Sequence, residues 1–384
     1  MSSYYALNIS LTEKCNLSCK HCGVSCDNKK NDCKGQLDFE IISKTIRDAK
    51  RLGFAHIIIA GGEPFLHKDF FQILDVCDSE KISFSILTNG TLIDKKCCEK
   101  LKRYATLVYV RVSIDFADKD KMDSFRGVSG IYDKVINAVR LLSEYEIKCG
   151  VGMSITPYNV DDVEEVARIA KAAGADFMRA VPVMPIGKVS DMSLTEEFYE
   201  NALRNVLNAQ KLAEINDYYK ILMLPGDLRE VASSFLLPCA GAYSIAAISS
   251  EGKVSICPLS SSYVEGKTVV DTDLEELLEE NIKSFDKEME NLQGNTLCNG
   301  CMHGNECKGG CLSELQCQNT YGHCIKKLLE KVLSGVEGDK SMRRVINDAM
   351  CRFSTQKYYR IPVCVRSSAL WSWPLRIQIT QEEK

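Results

Sequence analysis

Short apolar runs alternate with longer amphipathic stretches over the first two hundred residues of the chain. Six runs have the length and composition of buried strands: Tyr4–Ser10, Ala55–Ala60, Ile82–Thr88, Leu107–Ile114, Lys148–Ile155 and Phe177–Val183. Apolar residues recur at helical spacing near 39–52, 69–80, 94–103, 131–145, 161–173 and 195–213. Strands that alternate with helices predict βαβ units around a parallel sheet. Periodicity alone leaves open whether this sheet is doubly wound or a partial (β/α) barrel.

The pattern changes after Pro238. The segments Ile245–Ile248 and Val254–Ile256 flank a glycine turn and predict a hairpin, which an acidic helix from Asp273 to about Asn291 follows. A loop rich in cysteine and glycine (298–324) then precedes a predicted helix near 325–333. This unit has little room for an apolar core, so bound metal would have to support it. We therefore expect four parts: a barrel at 1–215, a linker at 216–238, a cysteine-rich domain at 239–333 and a tail of unassigned role at 334–384.

Composition and charge narrow the function classes. The chain has 384 residues, 45% of them hydrophobic, which is enough for a packed core. Its net charge of −4 gives no electrostatic footprint for nucleic acid. No apolar run approaches the ~18 residues that span a bilayer, and Met1 to Lys14 lacks the pattern of a secretory signal. We expect a cytoplasmic protein that does not insert into membranes.

Cysteine is the compositional outlier, with 19 residues. Many cysteines indicate either disulfides in an oxidising compartment or metal in a reducing one. The odd count and the missing export signal favour metal.

The first cysteine cluster directly follows the first predicted strand. Cys15, Cys19 and Cys22 form a C-x3-C-x2-C loop, whose three thiolates can hold three corners of a [4Fe–4S] cube and leave one iron open to a small molecule. Zinc is the alternative, with Cys26 as a fourth ligand. It is less favoured because structural zinc sites usually use two separated ligand pairs.

This loop resembles the motif of the radical S-adenosylmethionine (SAM) superfamily, and further matches follow in order at the ends of the predicted strands. By resemblance, the SAM contacts are His21 through its backbone, Gly61, Gly62, Glu63, Asn89, Ser113, Asp115 and Arg126. Glu63 would accept from the SAM ammonium, and Arg126 is a candidate for the SAM carboxylate. Each motif alone is an ordinary turn or strand end. Their joint position at the carboxyl ends of successive strands, where parallel barrels carry active sites, gives them weight.

The resemblance implies a fold and a reaction. The fold is a partial (β/α)6 TIM-like barrel. In the reaction, SAM bound to the open iron is cleaved by one electron to a 5′-deoxyadenosyl radical, which removes a hydrogen atom from the substrate. A low-potential donor such as flavodoxin or ferredoxin would supply the electron. No catalytic side chain is assigned.

A second cysteine array resembles the seven-cysteine pattern of SPASM domains, which bind two auxiliary [4Fe–4S] clusters. The resemblance assigns Cys239, Cys257 and Cys311 to the first, and Cys298, Cys301, Cys307 and Cys324 to the second. A zinc ribbon at 298–311 and Cys317 in place of Cys324 are the alternatives. Three clusters imply about 12 irons per chain. No cysteine follows shortly after Cys239, so we expect the fourth site of the first auxiliary cluster to be open or to have a non-cysteine ligand. We hypothesise that a substrate thiolate or amide binds an open iron there.

The resemblance to SPASM enzymes favours a ribosomally made peptide or protein as substrate, modified for example by a thioether or carbon–carbon crosslink. The barrel begins within ten residues of Met1, so we expect leader recognition to be direct or to come from a separate protein. A tetrapyrrole enzyme of heme pathways is the alternative. A sulfatase-maturing oxidase is less favoured because Pro258, not aspartate, follows Cys257. A cluster-bearing scaffold without radical chemistry is a further alternative.

Overall fold

The computed structural model describes residues 6–23, 35–184, 187–215, 220–222, 245–258 and 264–292. In these ranges nine strands form a single sheet. The strands are β1 (Ala6–Ser10), β2 (His56–Ala60), β3 (Ser83–Thr88), β4 (Leu107–Ser113), β5 (Cys149–Ile155), β6 (Phe177–Pro182), β7 (Lys220–Leu222), β8 (Ile245–Ile248) and β9 (Val254–Ser255). The first six match the six predicted strands.

Eight α-helices lie in the described ranges. They are α1 (Phe39–Arg51), α2 (Phe70–Ser79), α3 (Lys95–Leu101), α4 (Lys119–Arg126), α5 (Ile131–Glu144), α6 (Val163–Ala172), α7 (Glu196–Ile215) and α8 (Leu274–Leu292). Only α4 was not predicted from the sequence. The helix predicted near 325–333 lies outside the described residues.

The strand order identifies the type of parallel sheet. The order is β7-β6-β5-β4-β3-β2-β1-β8-β9, and every pair is parallel except β8 with β9. A doubly wound sheet reverses its strand order at a switch point, whereas β1 to β7 follow one another in chain order. Right-handed crossovers in that order place the helices on one face of the sheet, as in a (β/α) barrel. The predicted α/β fold with a partial TIM-like barrel is confirmed.

The main core lies between the sheet and these helices. Alternate strand residues such as Val110 and Val112 are fully buried on the helix side. The close approach of Gly90 to both Val112 and Ala138 shows that this face of β4 is turned toward α5. The alternate residues of β4, Tyr109 and Arg111, therefore point into the barrel interior.

The predicted hairpin is β8 and β9, and Gly252 at its turn has a φ of +83°. No sequence pattern predicted that β8 would pair in parallel with β1, with Ala6 opposite Ile245. The hairpin of β8 and β9 thus extends the barrel sheet directly. The proposed domain boundaries remain a prediction. Among the described residues, no helix is long and apolar enough to span a membrane.

Candidate metal centre

The loop that carries the three N-terminal cysteines, residues 11–23, begins where β1 ends. We call it the cysteine loop. Cys15, Cys19 and Cys22 are partly exposed and form no disulfide among the described residues. Burial raises the pKa of Cys15 and raises that of Cys19 to about 11, an effect that Arg126 partly offsets at Cys19. The charge of Cys22 acts on both of the other thiols, so the three sulfurs lie in one electrostatic environment. A coordinated metal would reverse this preference, because it deprotonates a thiol outright.

The end of β2 packs tightly against the backbone of the cysteine loop. A Cβ on Gly61 would lie 2.6 Å from the carbonyl oxygen of Thr12, and one on Gly62 would lie 2.3 Å from that of Glu13. The backbone N–H of Gly62 donates to Thr12 at 2.7 Å, and that of Glu63 donates to Lys14 at 2.8 Å. Both glycines are therefore needed for the loop to lie on β2. The sequence motif had indicated them only as SAM contacts.

Glu63 is completely buried beneath the cysteine loop. Its Oε1 accepts hydrogen bonds from Thr88 Oγ1 at 2.8 Å and from the Phe65 N–H at 3.3 Å, and its Oε2 accepts from the Asn89 N–H at 2.8 Å. Burial raises the pKa of Glu63 to about 7, although these hydrogen bonds lower it. The carboxylate links the end of β2 to the end of β3. A cation beside it would favour its ionised form.

Asn89 connects the end of β3 to the cysteine loop. Its Nδ2 donates to Asn16 Oδ1 at 2.8 Å and lies 3.7 Å from Cys15 Sγ. Its Oδ1 accepts from the backbone N–H and hydroxyl of Thr91, and Asn16 donates to the same hydroxyl at 2.7 Å. This closed network positions the first cysteine. The neighbouring strand contributes Ser113, whose hydroxyl donates to the Thr88 carbonyl at 3.3 Å.

Asp115 and Arg126 form a buried ion pair next to Cys19. Arg126 Nε donates to Asp115 Oδ2 at 3.0 Å, and Nη2 donates to the same oxygen. Burial alone would raise the pKa of Asp115, but Arg126 and His21 hold it below its ordinary value. The Ser154 N–H also donates to Asp115 at 3.0 Å. Arg126, a sequence candidate for the SAM carboxylate, is thus already engaged by a carboxylate of the protein.

His21 stacks on Phe125, with ring centroids 4.9 Å apart, and its Nε2 lies 3.6 Å from Asp115 Oδ2. Burial lowers the pKa of His21 despite the opposing effect of Asp115, so the ring is neutral at pH 7. Its buried Nδ1 has no hydrogen-bond partner in the described part of the chain. The contact of the ring with Phe125 orients the chain between the second and third cysteines.

Two further supports for the cysteine loop were missed by the sequence analysis. The N–H groups of Ser18 and Lys20 donate to the last carbonyls of α4, those of Arg126 and Phe125, at 3.0 and 2.9 Å. Gly127 ends α4 with a φ of +77°, and a Cβ there would lie 2.9 Å from the Ser18 oxygen. On another side, the Lys188 N–H donates to the Cys22 carbonyl at 3.1 Å. Asp118 and Gly127, which cap α4, were the available signal for this helix.

The donor set fits an iron–sulfur cube. Within the described ranges, no three His, Cys, Asp or Glu side chains are arranged around a single metal ion. A cube makes a different demand, because each of its thiolate ligands binds a separate iron. Three partly exposed thiols on one braced loop, with a buried guanidinium nearby, meet that demand and leave the fourth iron without a ligand from this loop.

Of the residues predicted to bind the auxiliary clusters, only Cys257 is described. It is partly exposed just beyond β9, and its carbonyl accepts from the Ser255 hydroxyl at 3.1 Å. The remaining candidates lie outside the described residues: Cys239, Cys298, Cys301, Cys307, Cys311 and Cys324.

The comparison with protein families identifies the barrel. Residues 9–170 match the family model of the radical SAM superfamily. This part of the chain is a radical SAM domain. The matched residues include the cysteine loop and the ends of β2 to β5, where the site was found. The recognition from sequence motifs is confirmed, and so is the prediction of an enzyme.

The curated relatives of this chain include proteins named for peptide maturation and proteins named for heme synthesis. The subtilosin biosynthesis protein AlbA of Bacillus subtilis is 34% identical over 166 residues, which are 43% of this chain and 36% of AlbA. The mycofactocin maturase MftC of Mycobacterium ulcerans is 25% identical over 80% of this chain and 82% of its own. The AdoMet-dependent heme synthase of Methanosarcina barkeri is 25% identical over 64% of this chain and 74% of its own.

Two solved structures share the fold. SuiB of Streptococcus suis bound to S-adenosylmethionine has a TM-score of 0.66 at 19% identity and covers 82% of this chain and 74% of its own. The enzyme anSMEcpe with bound AdoMet has a TM-score of 0.68 at 20% identity, over 90% of this chain and 99% of its own. At these identities the likeness concerns the fold.

Proposed function

We propose that this chain uses a [4Fe–4S] cluster and SAM to modify a ribosomally made peptide or protein, for example by forming a thioether or carbon–carbon crosslink. The observation that carries the chemistry is the cysteine loop, braced from the ends of β2, β3 and α4 inside a radical SAM domain. The peptide substrate is supported by the relatives named for bacteriocin biosynthesis and maturase activity. SuiB has also been crystallised with its precursor peptide SuiA, and anSMEcpe with the peptide Cp18Cys.

Cys15, Cys19 and Cys22 would hold the cluster. When bound, the cluster and SAM together supply a 5′-deoxyadenosyl radical that removes a hydrogen atom from the substrate. The protein supplies position and exclusion of water. The hydrogen-bonded backbone of the cysteine loop and the buried Asp115–Arg126 pair beside Cys19 support this positioning role.

Glu63 is the best candidate for the SAM ammonium among the predicted contacts. It is buried, and its pKa of about 7 leaves it only partly ionised at neutral pH. An ammonium group would stabilise the carboxylate and offset its burial. The contacts proposed for His21, Gly61, Gly62, Asn89, Ser113, Asp115 and Arg126 remain part of the same proposal. Arg126 and the two glycines have structural partners as well.

The auxiliary clusters, the leader-recognition protein and the low-potential electron donor also belong to the proposal. Cys257 would bind the first auxiliary cluster with Cys239 and Cys311, and the other four cysteines of the array would bind the second. Iron analysis of the reconstituted chain should then approach ~12 per chain, and a value near four would remove the auxiliary assignment.

The deciding experiment is an anaerobic incubation of reconstituted protein with SAM and dithionite. We expect 5′-deoxyadenosine by chromatography, and none from Cys19→Ala. Cys97→Ala is the matched control, because Cys97 lies on α3 away from the loop. If the native protein forms no 5′-deoxyadenosine with or without candidate substrates, the chain is a cluster-bearing scaffold and the proposal fails.

A tetrapyrrole substrate is the second candidate, and the similarity to the heme synthase of Methanosarcina barkeri favours it. A peptide substrate and a tetrapyrrole substrate predict different products. A peptide encoded beside this gene should change mass in a SAM-dependent way under the first reading, and a porphyrin carboxylic acid should do so under the second.

A further inference from the structure

The interior face of the barrel carries a positive charge on β4. Arg111 lies between Val110 and Val112, which face the helices, so its side chain points into the barrel. Arg179 on β6 lies between two fully buried residues and faces the same interior. Both arginines are half-buried, and the barrel interior is an uncommon place for a charged side chain.

Two glycines on β5 provide the space that these interior side chains occupy. In the register of the sheet, Arg111 is opposite Gly150 and Ser113 is opposite Gly152. The Arg111 side chain passes over Gly152, where an added Cβ would lie 3.2 Å from its Nε. The side chain therefore leans from its own level toward the Ser113 end of the barrel. That end carries the cysteine loop.

Arg111 has no hydrogen bond or ion pair in the described part of the chain. Only two acidic side chains there are buried, Glu63 and Asp115, and both have other partners. Desolvation lowers the pKa of Arg111, yet a guanidinium stays charged at neutral pH. Arg111 is half-buried, and a charge that loses part of its hydration without a counter-ion is costly, so a bound anion would stabilise it. The planar fork of arginine suits a carboxylate.

We propose that Arg111 binds a carboxylate group of the substrate inside the barrel, which on a peptide is an acidic side chain or the C-terminus. This assignment rests on the proposed function, since it places the substrate in the barrel below the cysteine loop. It adds a substrate-binding residue on β4 and a requirement for a negatively charged group on the substrate.

The test uses glutarate as the probe and neutral glutaramide as its control, on the full reconstituted chain with oxidised clusters. Saturation-transfer NMR should detect binding of glutarate and not of glutaramide. Arg111→Gln should weaken glutarate binding about tenfold or more, and Arg111→Lys should lie between the two, since it keeps the charge and loses the fork. Arg168→Gln, which removes an exposed arginine on α6, should bind glutarate as the native protein does.

Two further readouts separate ligand binding from a structural role. Phenylglyoxal should modify Arg111, as detected by mass spectrometry of peptides, and glutarate should slow that modification. Gly152→Ala should weaken glutarate binding while Arg111 is still present, because the new Cβ displaces its guanidinium. Urea unfolding of Arg111→Gln should show no loss of stability, since no protein partner is lost.

The outcomes are decisive for the source of the carboxylate. SAM also carries one, so 5′-deoxyadenosine formation without substrate is measured in Arg111→Gln. Unchanged formation supports a substrate site, whereas its loss assigns Arg111 to SAM and overturns the proposal. Equal binding of glutarate and glutaramide, or equal binding of glutarate by Arg111→Gln and the native protein, also overturns it. If the native protein makes no 5′-deoxyadenosine while Arg111-dependent glutarate binding persists, the proposed function fails and the anion site stands.

Discussion

Arg126 donates to Asp115 through both Nε and Nη2, and the two side chains form an ion pair that is almost fully removed from solvent. The pair joins the segment after β4 to the last residue of α4, whose carbonyl accepts from the Ser18 N–H. The ion pair thus fixes the helix end that supports the cysteine loop. This relationship suggests that its main contribution is to hold the loop in place.

Arg126→Gln should therefore destabilise the protein strongly. Removal of one partner leaves Asp115 buried without its counter-charge, which typically costs about 3–5 kcal/mol. Urea unfolding followed by circular dichroism measures the change. Lys102→Gln is the control, because its pair with Glu146 is exposed and should contribute little to stability. Equal effects of the two substitutions would show that the buried pair does not stabilise the fold.

Gly62→Ala should prevent assembly of the N-terminal cluster. The new Cβ would lie 2.3 Å from the carbonyl oxygen of Glu13 and 2.5 Å from that of Lys14, so the loop backbone has to move. Iron content and 5′-deoxyadenosine formation should both fall. Gly23→Ala is a matched control in the same loop, because nothing lies within 4 Å of its added Cβ. Full iron loading of Gly62→Ala would mean that the loop tolerates displacement.

The cysteine loop could be predicted from sequence, whereas its supports could not. The spacing of Cys15, Cys19 and Cys22 is a local pattern within one loop, so it can be recognised from the amino-acid sequence alone. The helix α4 contains only two buried apolar residues, Met122 and Phe125, and its charged remainder hides the helical period. The pairing of β8 with β1 joins residues more than two hundred positions apart. No local pattern encodes such a contact.

The same distinction applies to Asp115 and Arg126. Both were singled out by their resemblance to family motifs, and each was assigned to SAM separately. Their mutual ion pair depends on the path of α4, which returns Arg126 to the end of β4. Arg111 was not singled out, because a single arginine in an apolar run has no motif. Its meaning depends on Gly152 beside it on the neighbouring strand.

Asn89→Ala should loosen the N-terminal cluster and leave the fold largely intact. The substitution removes the donor to Asn16 and Cys15 and the acceptor for Thr91. Each lost hydrogen bond is worth about 1 kcal/mol, which is small against global stability but acts directly on a ligand. Loss of iron to a chelator should therefore accelerate, with little change in the melting temperature. Asn137→Ala on the outer surface of α5 should not alter iron loss.

His56 should make stability depend on pH. It is buried at the start of β2, with Nδ1 2.9 Å from Ser83 Oγ and Nε2 2.8 Å from Ser85 Oγ. Burial lowers its pKa to about 4, against an ordinary value near 6.5. The folded protein therefore keeps His56 neutral while the unfolded chain takes up a proton below pH 6.5. The free energy of unfolding should be insensitive to this group above that pH and fall by about 1 kcal/mol between pH 6.5 and 5.5.

The measurement is urea unfolding at pH 7.5, 6.5 and 5.5 on the native protein and on His56→Gln. The variant is less stable at every pH because it disturbs the two serine contacts, but it cannot take up the proton. Its free energy of unfolding should therefore lose about 1 kcal/mol less between pH 6.5 and 5.5 than that of the native protein. Parallel pH profiles for the two proteins would show that another group governs acid sensitivity. His67→Gln is the comparison, since His67 is also buried and its Nε2 donates to the Leu37 carbonyl at 2.8 Å. If His67→Gln reduces the loss of unfolding free energy between pH 6.5 and 5.5 as much as His56→Gln does, the effect is not specific to His56.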